Sequence, residues 1–129
     1  MTMTAWAHLP NAQHIDAVLA DARKRPGAWD AAQRAARGAA QRAAWDAAWD
    51  AAWGAARRAA WDALAALIAW DAAQRAAWDA VAALVTWDSS ADLLDCTPDV
   101  LRTMIDLAEP PVCHQAALLL PYAIVRFGT

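Results

Sequence analysis

The chain has little of what staples, bends or anchors a fold. Cys96 and Cys113 are its two cysteines in 129 residues, too few for a disulfide framework. Four glycines exclude a collagen-like fibre, and an apolar content of 60% excludes a disordered acidic tail. Lys24 is the one lysine and Glu109 the one glutamate; the other ten cations are Arg and the other thirteen acids Asp. The formal charge is −3 and no basic block is present, which argues against duplex nucleic acid as a partner, since that binding rests on clustered Lys and Arg. The longest uncharged run, residues 110–125, is sixteen positions interrupted by Pro110, Pro111 and Pro121, too short and too broken for a membrane span. No cation-headed apolar stretch opens the chain, and a reducing cytoplasm is the expected setting. His8 and His14 stand alone, and the adjacent Cys113 and His114 would point about 100° apart on a helix with no further ligand at suitable spacing. Glycine-rich phosphate loops are also missing. Neither a cofactor, a metal nor a catalytic constellation is therefore expected.

What the chain does have is alanine and tryptophan. It holds 39 Ala, 28 of them within residues 28–83, and nine Trp beside one Tyr and one Phe. Alanine leads the helix scales and is depleted in strands, so the expected fold class is all-α. An N-terminal helix is expected within residues 1–27, with Asn11 as its N-cap, an apolar face of Ile15, Val18, Leu19 and Ala22, and an end at Pro26-Gly27. Residues 96–129 read as apolar C-terminal helices. Thr97-Pro98-Asp99 caps the first, whose stripe is Val100, Leu101, Met104, Ile105 and Ala108. The second starts near Pro111 and is expected to be interrupted at Pro121.

Residues 28–95 contain an internal repeat. QRAAWDA occurs at 41–47, RRAAWDA at 57–63 and QRAAWDA at 74–80, with a degenerate QRAARGA at 33–39. The full copies are 16 and 17 residues apart, so on one straight helix equivalent residues would be rotated by about 160° and −100° and face unrelated directions. Short antiparallel helices, one per repeat, fit better, with turns near Gly38, Gly54 and the Trp70-Asp71 step. One bent long helix is the alternative, because no strong breaker lies between Gly54 and Pro98. On the wheel of the second repeat Trp61, Leu64 and Ile68 lie together, while Ala59, Ala63 and Ala66 form an opposite face suited to close helix approach. The expected architecture is a compact single-domain bundle of short Ala/Trp-rich helices docked on the apolar C-terminal part.

The recurrence of Trp with Arg is the feature that points to a ligand. The seven Trp-Asp dipeptides are spaced by 4 to 16 residues in an Ala-rich background, unlike propeller blades, which repeat at about 40–45 residues and are built of strands. Trp45, Trp49 and Trp53 make a continuous strip, and Trp61 and Trp78 hold equivalent repeat positions; such rings either fill a core or stack on bases. Arg42 and Asp46, Arg58 and Asp62, and Arg75 and Asp79 are each four apart. They form either a salt-bridged solvated face or a set of Arg held ready for phosphate, whose geometry the guanidinium matches. The polar run Asp88, Ser89, Ser90, Asp92, Asp95 serves as turn chemistry or as acceptors for a ribose or base.

The series PGAWDAAQRAARGAAQRAAWDAAWDAAWGAARRAAWDA, then ALIAWDAA, TWDSSADLLD and LLLPYAI, resembles a class of small phage-encoded proteins built of Trp-Asp-Ala-Ala repeats with an apolar C-terminal part. The resemblance covers about residues 28–127 and implies a dispensable phage accessory protein acting against host defence in the cytoplasm of an infected bacterium. The expected function is sequestration, without catalysis, of a nucleotide immune signal such as a cyclic ADP-ribose isomer, a histidine-ADP-ribose conjugate or a cyclic dinucleotide. The expected binding residues are Arg42, Trp45, Trp49, Trp53, Arg57, Arg58, Trp61, Arg75, Trp78 and Asp88, in a homo-oligomer. The alternative is a protein-binding inhibitor or helical scaffold that docks a host defence protein through Trp and Arg.

Overall fold

A computed structural model describes residues 5–52, 54–70 and 72–128. The chain is all-α: helix accounts for 80% of it, with no strand among the described residues. In order, the elements are α1 (Ala12–Lys24), α2 (Pro26–Ala36), α3 (Ala39–Ala51), α4 (Ala55–Trp70), α5 (Ala72–Arg75), α6 (Trp78–Thr86), a 3₁₀ helix (Asp88–Leu93), α7 (Pro98–Leu107) and α8 (Val112–Phe127). The short helices and their breaks at Gly38 and Gly54 follow the repeat, and α4 ends at Trp70; Asp71 lies outside the described residues. A further break at Ala76-Ala77 carries no sequence signal and separates α5 from α6.

Two helices form the centre. α8 packs against α2, α3, α6 and α7, and its residues Gln115 to Ile124 are buried except Tyr122. In α6 every residue from Asp79 to Thr86 is buried, so this repeat-derived segment is core in its own right and not an outer layer on the C-terminal part. α1 adds Ile15, Val18, Leu19 and Ala22, as its periodicity predicts. Ala44 and Ala48 of α3, with Ala52 at its C-cap, are all fully buried at a spacing of four, and α3 packs against both α8 and α6. On α4 the expected alanine face is outside instead. Ala59 and Ala66 are exposed, while Ala60, Trp61, Leu64 and Ile68 turn inward. The large side chains decide the orientation, because each buries far more apolar area than Ala does.

α1 ends at Lys24, with Arg25 as the non-helical residue before Pro26, as the sequence predicts; Pro26 then occupies the first turn of α2, where a missing N–H is no loss. Two expectations about helix ends are corrected. Asn11 sits at the N-cap position of α1 but makes no cap. Its Nδ2 instead donates to the carbonyls of Leu84, Trp87 and Asp88, at 3.1, 3.2 and 3.1 Å, closing the buried C-terminal end of α6. Finally, α8 runs unbroken through Pro121. Pro121 cannot donate to the carbonyl of Ala117 four residues earlier, and that carbonyl accepts from Nε2 of Gln41 on α3. Thr97 caps α7 as expected, accepting the Val100 N–H at 3.4 Å.

Candidate functional site

The repeat makes physical sense once its copies lie on separate helices. Trp45, Trp61 and Trp78, the fifth residue of each full copy, meet as a triangle of rings with centroids 5.7, 5.2 and 5.1 Å apart. Trp49 joins at 5.5 Å from Trp61. Edge-to-face and tilted contacts of this kind suit the ring quadrupole. Trp61 is 4% exposed, and Trp45 and Trp78 are half-buried. Trp49 is 46% exposed, but the Arg58 guanidinium already lies over its ring, 4.1 Å from the centroid. The strip from Trp45 to Trp49 thus faces its repeat counterparts; Trp53 lies outside the described residues.

The first residue of each copy, four before the Trp, also points inward, although the break at Ala76-Ala77 puts Gln74 and Trp78 on different helices. Gln41 bonds the Ala117 carbonyl, Arg57 reaches the carbonyls of Val85 and Thr86, and Gln74 is buried. Arg57 additionally pairs with Asp88 at 2.8 Å. A cation there complements the C-terminal end of the α6 dipole. Arg57 and Asp88, expected among ligand contacts, are therefore engaged in closing α6 together with Asn11. Arg75 is exposed on the short α5.

None of the three expected Arg-to-Asp pairs at spacing four appears among the ion pairs of the described residues. The pair at that spacing is Arg25 with Asp21 at 2.8 Å, in which the acid precedes the base, the order that a helix favours. Burial pushes the Asp21 carboxyl up, but hydrogen bonds from Arg25 and Trp29 and the charges of Arg25 and Lys24 outweigh it and lower its pKa from 3.8. Indole-to-carboxylate bonds recur: Trp6 donates to Asp16 at 2.8 Å, Trp29 to Asp21 at 2.8 Å and Trp45 to Asp79 at 2.6 Å. The Asp of the Trp-Asp dipeptides is thus not the partner of its neighbour's ring. Partners lie across helices or turns.

Asp79 is the exception among the described dipeptide acids, being 6% exposed where the others are exposed. Its pKa is raised from 3.8 by burial, against the opposing Trp45 hydrogen bond and the charge of Arg37. It lines a cleft of about 260 Å³ together with Gln33, Arg37, Gly38, Gln41, Arg42 and Trp45. An adjoining space of about 560 Å³ shares Arg37, Gly38 and Arg42 and extends to Asp46. The cleft opens at the junction of α2 and α3, where the degenerate repeat stands. Aligned with QRAAWDA, the segment QRAARGA puts Arg37 in place of Trp and Gly38 in place of Asp. The site is where the repeat breaks its own rule: a cation and a bare backbone replace a space-filling ring.

The chemistry of this cleft is that of an anion binder with a polar floor. Arg37 and Arg42 are exposed, and no ion pair of either appears among the described residues. Gly38 is the N-cap of α3 and contributes no side-chain cap, so the first N–H groups of a 13-residue helix face this end. Gln41, 8% exposed, holds its Oε1 buried without a hydrogen-bond partner. A further polar cavity, about 320 Å³ beside His14 and Tyr122, is lined by Arg25 and Arg126, which are already paired with Asp21 and Asp95 at 2.8 and 2.7 Å.

Of the expected site residues the structure brings Arg42 and Trp45 to this cleft, with Trp61 and Trp78 packed behind Trp45 and Trp49 beneath Arg58. Arg37 and Gln41 were not singled out from the sequence, and Asp79 was read only as the partner of Arg75 four residues before it. The departure of the degenerate repeat from its consensus was the available signal for Arg37. Among the described residues no group of three His, Cys, Asp or Glu could hold a metal ion, and no helix is long and apolar enough to cross a membrane. No protein family, curated protein or solved structure matches the chain.

Proposed function

We propose that the protein binds and sequesters a small phosphate-bearing nucleotide, without turning it over, in the cleft between α2 and α3. The observation that carries this reading is the convergence of two guanidiniums without carboxylate partners, Arg37 and Arg42, on the uncapped start of α3. Guanidinium forks and helix N–H groups are both phosphate donors. The paired spaces of about 260 and 560 Å³ are of the size that small-ligand sites occupy. The resemblance to phage accessory proteins supplies the setting: the ligand is a host immune signal and the protein removes it from solution. The test is thermal melting against a panel of cyclic ADP-ribose isomers, histidine-ADP-ribose and cyclic dinucleotides. One compound raises the melting temperature by several degrees, and Arg37→Ala or Arg42→Ala abolishes the rise. A flat panel with cooperatively melting protein contradicts the proposal.

A second reading rests on a different surface. Leu107 is 79% exposed and Val100, seven residues earlier on the same face of α7, is exposed too. Exposed apolar residues so arranged favour docking on another protein, either a host defence protein or a second copy of this chain. Sedimentation of the purified protein with and without Leu107→Asp separates self-association from the monomer.

A further inference from the structure

Three of the four copies of the repeat place a tryptophan at their fifth position, and those three rings close on one another. The degenerate copy places Arg37 there, at the C-cap of α2. Arg37 lines the cleft of about 260 Å³ together with Trp45 and Asp79, and Asp79 feels its charge. The side chain that replaces the fourth tryptophan therefore stands beside the ring cluster. An indole at that position would be driven against Trp45, whereas a guanidinium keeps its head in water, and Arg37 is exposed. The Trp45 wall is already ordered: its N–H is fixed on Asp79 at 2.6 Å, and its ring packs on Trp61 and Trp78 at 5.7 and 5.1 Å. A ring arriving there meets a surface that need not be immobilised, which lowers the cost of binding. Resting on the phosphate-binding reading above, we infer that the heteroaromatic ring of the ligand takes the place of the missing fourth tryptophan, against Trp45, so that the nucleotide is held by its base as well as by its phosphate.

The two spaces set the layout of the ligand. At about 260 Å³ the cleft falls below the range of about 300–1,000 Å³ that encloses a whole drug-sized molecule, so it takes the base end of a nucleotide and not an entire dinucleotide. The adjoining space of about 560 Å³ shares Arg37, Gly38 and Arg42 with it. A phosphate held by the two guanidiniums stands at that join, with the base on the Trp45 side and whatever follows the phosphate on the Asp46 side. Stacking on a fixed ring suits any base, because every base has a π-face. The feature this cleft selects is the ring itself.

The experiment is isothermal titration of the full chain with AMP, GMP, ribose 5-phosphate and inorganic phosphate, repeated with Arg37→Trp, Arg37→Leu and Arg42→Ala. At least one purine nucleotide is expected to bind about tenfold or more tightly than ribose 5-phosphate, which keeps sugar and phosphate and lacks the ring. This ligand series tests the placement even if a variant folds poorly. Arg37→Trp and Arg37→Leu remove the same charge, but only the indole fills the cleft. Arg37→Trp therefore melts above Arg37→Leu without ligand and erases the purine advantage, whereas Arg37→Leu binds every phosphate more weakly and keeps it. A folded Arg37→Trp that retains the advantage overturns the placement of the ring. Ribose 5-phosphate binding as tightly as both purine nucleotides, with that binding lost in Arg42→Ala, also overturns it and leaves the phosphate site standing. No binding of any of the four, in folded protein, overturns both.

Discussion

Gln41 and Pro121 are 80 residues apart in sequence, and the structure makes one depend on the other. Pro121 sits inside α8 and leaves the Ala117 carbonyl without its helical donor; Gln41 supplies one from α3. Replacing Gln41 by Leu keeps the volume roughly constant and strands a buried carbonyl, which costs about 1–3 kcal/mol. For a domain of this size that lowers the melting temperature by about 3–6 °C per kcal/mol. In a Pro121→Ala background the chain regains an N–H at position 121, the carbonyl is served within α8, and the same Gln41→Leu change costs less than about 1 kcal/mol. Urea unfolding of the four proteins gives the coupling as a double-mutant cycle. A coupling of about 1 kcal/mol or more is expected, with Pro121→Ala protecting against loss of Gln41. Additivity within about 0.3 kcal/mol would refute the reasoning, because two residues that share no acceptor should not couple.

Three further outcomes are expected. Burial raises the Asp79 pKa above 3.8 in the folded chain, so the native state holds more protons than the unfolded one and stability falls as pH rises from 3.8 through the folded value. Asp79→Asn removes that fall, and its stability relative to the parent should increase over this window and then level off in urea titrations at stepped pH. Asp21 has the opposite sign: its lowered pKa gives stability that is present above 3.8 and lost as pH drops through the folded value, so Asp21→Asn should flatten the acid limb of the same profile. Asn11→Ala strands carbonyls at the end of α6 and should cost about 1–3 kcal/mol; a cost within about 0.3 kcal/mol would mean that water serves those carbonyls.

Much of the fold was legible because it rests on local chemistry. Alanine content, the Thr97-Pro98 cap, the α1 stripe and the glycines at 38 and 54 each act within a few residues. Where long-range partners decide, the local rules fail. Pro121 reads as a break until Gln41 is placed beneath it, Asn11 reads as a cap for α1 until the end of α6 is placed beside it, and the Ala76-Ala77 break has no local cause. The site was legible in part for the same reason. The coincidence of Trp and Arg marked the region, yet in the repeat the Trp residues close on one another and Arg57 and Arg58 are taken by α6 and Trp49. The residues that open a cleft are those where the pattern lapses, Arg37 and Gly38, together with Asp79, whose Trp-Asp dipeptide lies on the one repeat helix buried all round. A single copy of the motif gives no sign of either.

The central claim is retention of an unaltered nucleotide through Arg37 and Arg42. Equilibrium dialysis of the full chain with cyclic di-GMP, followed by denaturation and chromatography of the released ligand, tests it directly. The account predicts stoichiometric retention, complete recovery of the intact nucleotide, and loss of retention when Arg37 and Arg42 are both replaced by Ala in protein that still melts cooperatively. Retention unchanged by the double substitution, or recovery of a cleaved product, would contradict it.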